Sequence, residues 1–274
     1  MKTNFKHRFF ILIILGFFSG TLLAQETIWT VGSARTVPKK EAEFGILQPF
    51  RYGLSDKTEL STSPILLLSF SPNITVKHRW YEGNVWIASK HSFNNPTLLL
   101  EGLSDIGYLK DSIDNPLIPD APFIYSFWNE GIVTYRYAAE QVVSGHIGFR
   151  FALKPKDSTL QVIEKPFLYQ RSSIFHNKLM WYFGFDFDGN IYESINYSAG
   201  IDFLSLGFGV DDWAIEQQTK LIWNKNVKFA ALFGYSLSYG SYPLENKFSI
   251  IPMVDLIWKI NKKKRRPARG LWRR

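Results

Sequence analysis

The sequence predicts an all-β fold: an antiparallel transmembrane β-barrel of about twelve strands, with one long loop that plugs or covers it. Three observations carry this expectation. Apolar residues recur with a period of two, the alternating runs are long, and the connections between runs take turns at being short and long. Aromatic residues make up 16% of the chain, and they are spread along it rather than gathered into a few core segments.

The alternation is clearest from Val227 to Tyr239. Val227, Phe229, Ala231, Phe233, Tyr235, Leu237 and Tyr239 share one face, while Lys228, Ala230, Leu232, Gly234, Ser236 and Ser238, mostly small or polar, share the other. Side chains alternate faces along a strand, so such a run presents one apolar and one polar surface. Lys247 to Ile260, Val143 to Leu153, Lys178 to Phe187 and Ser194 to Phe203 repeat the pattern. A soluble sandwich buries its apolar face against a second sheet, whereas an outer-membrane barrel turns it to lipid. Length decides for the barrel, because these runs exceed the five or six residues usual in soluble sheets and match the ~9–11 of a tilted membrane strand. Trp80, Tyr81, Trp223, Tyr239, Tyr242 and Trp258 fall near run ends, where an interfacial aromatic girdle belongs.

Twelve runs can be drawn, at 27–36, 41–52, 57–68, 73–81, 84–93, 130–139, 142–153, 178–187, 191–203, 213–223, 227–239 and 247–260. Ten is the alternative count, since the first and fifth alternate poorly. Even runs are followed by tight turns, among them Gly53–Asp56, Glu82–Gly83, Glu140–Gln141 and Asp188–Asn190. Odd runs are followed by longer connections at 94–129, 154–177, 204–212 and 240–246, with short exceptions at Val37–Lys40 and Ser69–Pro72. Short periplasmic turns and longer outer loops are the usual asymmetry of such barrels.

The ends differ from the body. Lys2, Lys6 and Arg8 precede an apolar run to Phe18 and a cleavage point after Ala24, which reads as a secretory signal peptide over 1–24. Residues 261–274 carry eight Lys or Arg and no acid. The net charge of +8 therefore belongs to the two ends, and the 25–260 barrel is itself slightly acidic, with no attraction for nucleic acid. The absence of cysteine excludes thiolate metal sites and cysteine nucleophiles. The reading places the protein in the outer membrane of a Gram-negative bacterium. Its partners there are outer-membrane lipid, lipopolysaccharide and the assembly machinery, with an anionic periplasmic partner for the basic tail.

The segment RYGLSDKTEL at 51–60, preceded by PKKEAEFGILQP, resembles the YGLTDRLEL turn of uncharacterised bacterial outer-membrane β-barrel families. The resemblance covers about 40 residues, from Ser33 to Trp80. It implies an outer-membrane barrel and carries over no site residues. Such proteins usually end on an aromatic residue of the last strand, and this chain departs from that by continuing into its basic tail.

No catalytic, metal or cofactor residue is assigned, and the chain is read as a non-enzyme. His146 shares the inward face with Ser144, but a polar lumen residue accounts for it better than a Ser–His pair. His91, His146 and His176 bind metal only if the barrel brings them together. Asp186, Asp188, Gly189 and Asn190 resemble part of a calcium loop, and a hairpin turn explains them better. The inward charges (Glu41, Glu43, Arg51, Glu59, Lys77, Arg79, Arg150, Asp202, Glu216, Lys220, Lys228, Asp255, Lys259) mix both signs, so ion pairs are expected to fill the lumen. Gly184, also inward, is expected to tolerate Ser far better than outward Phe183 tolerates Arg. The expected function is a narrow or plugged channel for small solutes, or a structural or surface component. The alternatives are a soluble secreted or periplasmic all-β binding protein and a lipid-modifying outer-membrane enzyme.

Overall fold

A computed structural model describes residues 31–105, 123–138, 140–154, 169–192, 194–207, 211–226, 228–241 and 246–260. The signal peptide at 1–24 and the basic tail at 261–274 lie outside the described residues. Twelve strands are present: β1 (Ala42–Gly45), β2 (Phe50–Gly53), β3 (Thr58–Thr62), β4 (Asn73–Glu82), β5 (Val85–Asn94), β6 (Tyr125–Ala138), β7 (Gln141–Leu153), β8 (Leu179–Tyr192), β9 (Ile195–Ser205), β10 (Trp213–Asn226), β11 (Phe229–Ser241) and β12 (Asn246–Ile260). Each pairs antiparallel with its sequence neighbours, and β1 closes on β12 from Ala42↔Ile260 to Gly45↔Ile257. The protein is a closed twelve-stranded antiparallel barrel. No described helix is long and apolar enough to cross a membrane, which says nothing of crossing by strands.

The count of twelve agrees with the alternation, but its first members differ. Residues 31–36, expected at the end of a first strand, are bends and coil. The expected second strand, 41–52, is instead the β1–β2 hairpin. Its turn is held from far away: the Asp255 carboxylate of β12 accepts the backbone N–H groups of Ile46, Leu47 and Gln48 at 2.8, 3.0 and 2.7 Å. The third strand ends at Thr62 rather than 68, because Pro64 has no N–H for the ladder and opens a short helix, α1 (Pro64–Leu68). The β3–β4 connection thereby lengthens and joins the long-loop end, which removes one exception to the length rule. At the other end, β8 runs on to Tyr192. Asp188 to Asn190 are strand residues and not the expected turn, and Asn190 donates across to Asn196 at 2.8 Å.

Following the paired rows from Ala42 around to Asn246 returns to β1 about 14 residues out of register, a shear that tilts twelve strands by roughly 40°. Outward positions are apolar, including Ile147, Phe149, Phe183, Phe185, Phe233 and Val254, all well exposed. Exposed Tyr125 and Tyr135 on β6, and Trp213 and Trp223 on β10, mark the two borders of this band. Ten residues separate each pair, which at ~3.3 Å per residue and this tilt is about 25 Å.

Both ends of the lumen are occupied. At the short-turn end, Val31 to Val37 threads inside the wall. Ala34 N–H donates to Thr134 Oγ1 at 2.8 Å, Val37 N–H donates to Glu59 at 2.9 Å, and Lys77 donates to the Ser33 carbonyl at 3.2 Å. At the long-loop end, α2 (Thr97–Asp105), α3 (Tyr169–Ser172) and α4 (Ile174–Asn177) gather over the wall. Leu100, Ile174 and Phe175 bury there against Met180, Tyr182, Leu204 and Leu206. The long connection expected to plug or cover the barrel contributes α2, while its residues 106–122 lie outside the described residues.

Candidate functional site

Between the two stoppers lies a cavity of about 720 Å³. Its polar wall is built by ladder registers that place opposite charges on adjacent strands. Glu43 faces Arg51, Glu59 faces Lys77, and Lys90 faces Glu130. Arg51 donates to Glu59 through Nε at 2.8 Å and Nη2 at 2.9 Å, and reaches Glu43 at 3.2 Å. The two-pronged contact matches the planar guanidinium to one carboxylate. Glu59 also receives the Val37 N–H, so the ion pair anchors the threaded segment.

Two further clusters share one device. Glu130, Gly148 and Tyr182 stand in one row across β6, β7 and β8. The side chain missing at Gly148 lets Tyr182 lean over β7 and donate its hydroxyl to Glu130 at 2.5 Å. One row over, His146, Gly184 and Asp202 cross β7, β8 and β9, and His146 reaches over Gly184 to Asp202 at 2.6 Å. Its other ring nitrogen lies 3.3 Å from Asp186. A Cβ on Gly184 would collide with both His146 and Asp202. The position faces inward, as read, but into an occupied space, so even Ser there must displace His146 or Asp202.

The Arg150 guanidinium lies over the Trp128 ring at 3.8 Å and 5.6 Å from the Tyr182 ring. Lys90 approaches the same indole at 4.2 Å. Among the described residues Arg150 has no carboxylate within ion-pair distance, and its Nε has no hydrogen-bond partner. Such stacking holds a guanidinium in place without neutralising it. Glu216 pairs with Arg171 of α3 at 3.6 Å, so the stopper over the long-loop end is itself tied to the wall by charge.

Most inward charges sit where the alternation put them; Lys228, in a short turn, is exposed. Ser144 and His146 do not form a nucleophile–base pair, because Ser144 hydrogen-bonds Thr134 at 2.8 Å and His146 lies between two aspartates. His91 points outward and meets Asn129, away from lumenal His146. His78 packs edge-on against Trp80 at 4.4 Å on the outer face. Lys90, Trp128, Glu130 and Tyr182 were not among the inward residues read from sequence. β6 starts at Tyr125, five residues before the alternation was recognised, and that shortfall hid Trp128.

No protein-family model matches the chain, and no curated protein matches it. Solved structures do. The chain is similar to the KdgM porin in complex with disordered oligogalacturonate, at 8% identity and a TM-score of 0.40, over 80% of this chain and 94% of that one. It is also similar to OmpT, an outer membrane protein of Vibrio cholerae, at 6% identity and a TM-score of 0.41, over 77% of this chain and 62% of that one.

Proposed function

We propose that this protein is an outer-membrane barrel whose lumen is closed along its axis, a plugged channel rather than a standing pore. The observation that carries this reading is the threaded segment Val31–Val37, held by Thr134, Glu59 and Lys77 inside the short-turn end. The membrane placement rests on the outward apolar band and its aromatic borders, whose spacing matches the roughly 25 Å apolar belt of such barrels. On this reading the short turns face the periplasm and the outer surface meets lipid and lipopolysaccharide. The final strand is recognised by the assembly machinery, and the basic tail meets an anionic periplasmic surface.

Planar-bilayer recording of refolded protein tests the channel reading. The intact chain gives low or intermittent conductance, and deletion of residues 25–37 gives a larger, steadier one. A large steady conductance from the intact chain overturns the proposal.

A further inference from the structure

The barrel wall is not of even height. β1, β2 and β3 are 4, 4 and 5 residues long, while β11 and β12 are 13 and 15. Four tilted residues rise about 10 Å, which leaves more than half of a ~25 Å apolar belt without strands beside β12. The edge of β12 above the Gly45↔Ile257 pair has no strand partner among the described residues. Pro252 lies midway along this edge. Lys259 donates its N–H to the Lys228 carbonyl, just before β11, so by alternation even-numbered residues of β12 point their N–H groups to the free side. The missing N–H of Pro252 therefore falls on the free edge, where it disfavours addition of another strand.

The rim of this gap is apolar. Ile46, Leu47, Ile65, Leu67 and Leu68 are all well exposed there. Leu47, Ile65 and Leu66 also line the central cavity, together with inward Leu232 and Ile257. The same cavity is lined by Arg150, the stacked cation without a carboxylate partner. Its volume lies within the ~300–1,000 Å³ usual for small-ligand sites. Among the described residues both axial ends carry a stopper, and the low wall beside β12 faces sideways.

We propose that this gap is a lateral portal through which an anionic, acyl-chain lipid enters the cavity from the bilayer. Its head group meets Arg150, and its chain lies along Leu66, Leu232 and Ile257. The inference rests on the membrane placement proposed above.

The test uses the full mature protein in phosphatidylethanolamine–phosphatidylglycerol vesicles containing a trace of palmitic acid with a mid-chain diazirine. Light-induced adducts are mapped by mass spectrometry. The expected result is labelling of inward Leu232 and Ile257 in addition to outward Phe183 and Phe233. Arg150→Met lowers the inward labelling about tenfold, the loss of one charged contact, and leaves the outward labelling unchanged. Leu66→Trp, which narrows the mouth without touching Arg150, lowers the inward labelling as well. Labelling confined to outward residues, or inward labelling indifferent to both variants, overturns the portal while leaving the membrane placement intact. Absence of outward labelling overturns both.

Discussion

The two sides of this barrel solve the same problem differently. From β4 to β12 the wall consists of strands of 10 to 15 residues, each paired along most of its length on at least one side. From β1 to β3 it consists of strands of 4 or 5 residues. The tall sector is secured by many ladder bonds and a continuous apolar exterior. The low sector has few ladder bonds and is secured from inside, by Arg51–Glu59 and by the Asp255 carboxylate on the β1–β2 turn. A barrel can therefore close with part of its wall missing, provided that buried charges hold the short strands in place.

This contrast can be broken from either side. The largest effect is expected in the low sector, from Glu59→Ala. It strips Arg51 and Lys77 of their shared carboxylate and frees Val37 N–H. Removing one partner of a buried pair costs about 3–5 kcal/mol, read as a lower urea midpoint in bilayers, accompanied by higher conductance. In the tall sector Phe183→Arg costs about 2–4 kcal/mol, the penalty for a cation near the bilayer midplane. The same measurement on Leu68→Arg, on the 81% exposed tip of α1, should give a comparable loss. No loss there would place the low sector outside the hydrocarbon.

Smaller effects sharpen the comparison. Asp255→Ala leaves three N–H groups of the β1–β2 turn without their acceptor and should cost about 1–3 kcal/mol. Amide exchange at Ile46 to Gln48 should quicken, while exchange in β8 and β9 stays unchanged. Pro252→Val should alter stability least, by under about 0.5 kcal/mol, as expected where a substitution disturbs no packed or bonded group. Its readout is association: restoring the N–H on a free edge should raise the cross-linked dimer fraction. A dimer fraction equal to that of the parent would mean that the edge is already covered.

The tall sector was the more legible one. β7 and β10 to β12 lie within a few residues of their expected positions, because in long strands one apolar–polar period repeats often enough to be read unaided. The low sector was misread because four residues hold only two periods. Glu41 to Tyr52 alternates well enough to pass for one strand until Asp255 is seen to fold it. The lumen charges were legible as a set, since period two assigns the inward face. Their pairing was not, because Tyr182 over Gly148 and His146 over Gly184 depend on which strands stand side by side.

By itself, the sequence determined the class of fold, which end carries the long connections and which face is apolar. These are local consequences of side-chain alternation and of where turn residues fall. Only the tertiary structure decided how the first strands divide, what fills each end of the barrel and where the wall is low. Each of those depends on contacts between residues far apart in the chain, such as Asp255 with Ile46 and Thr134 with Ala34. Such contacts are favourable because charges and N–H groups that are costly to bury alone find partners in a low-dielectric lumen, and no local pattern encodes which of them will meet.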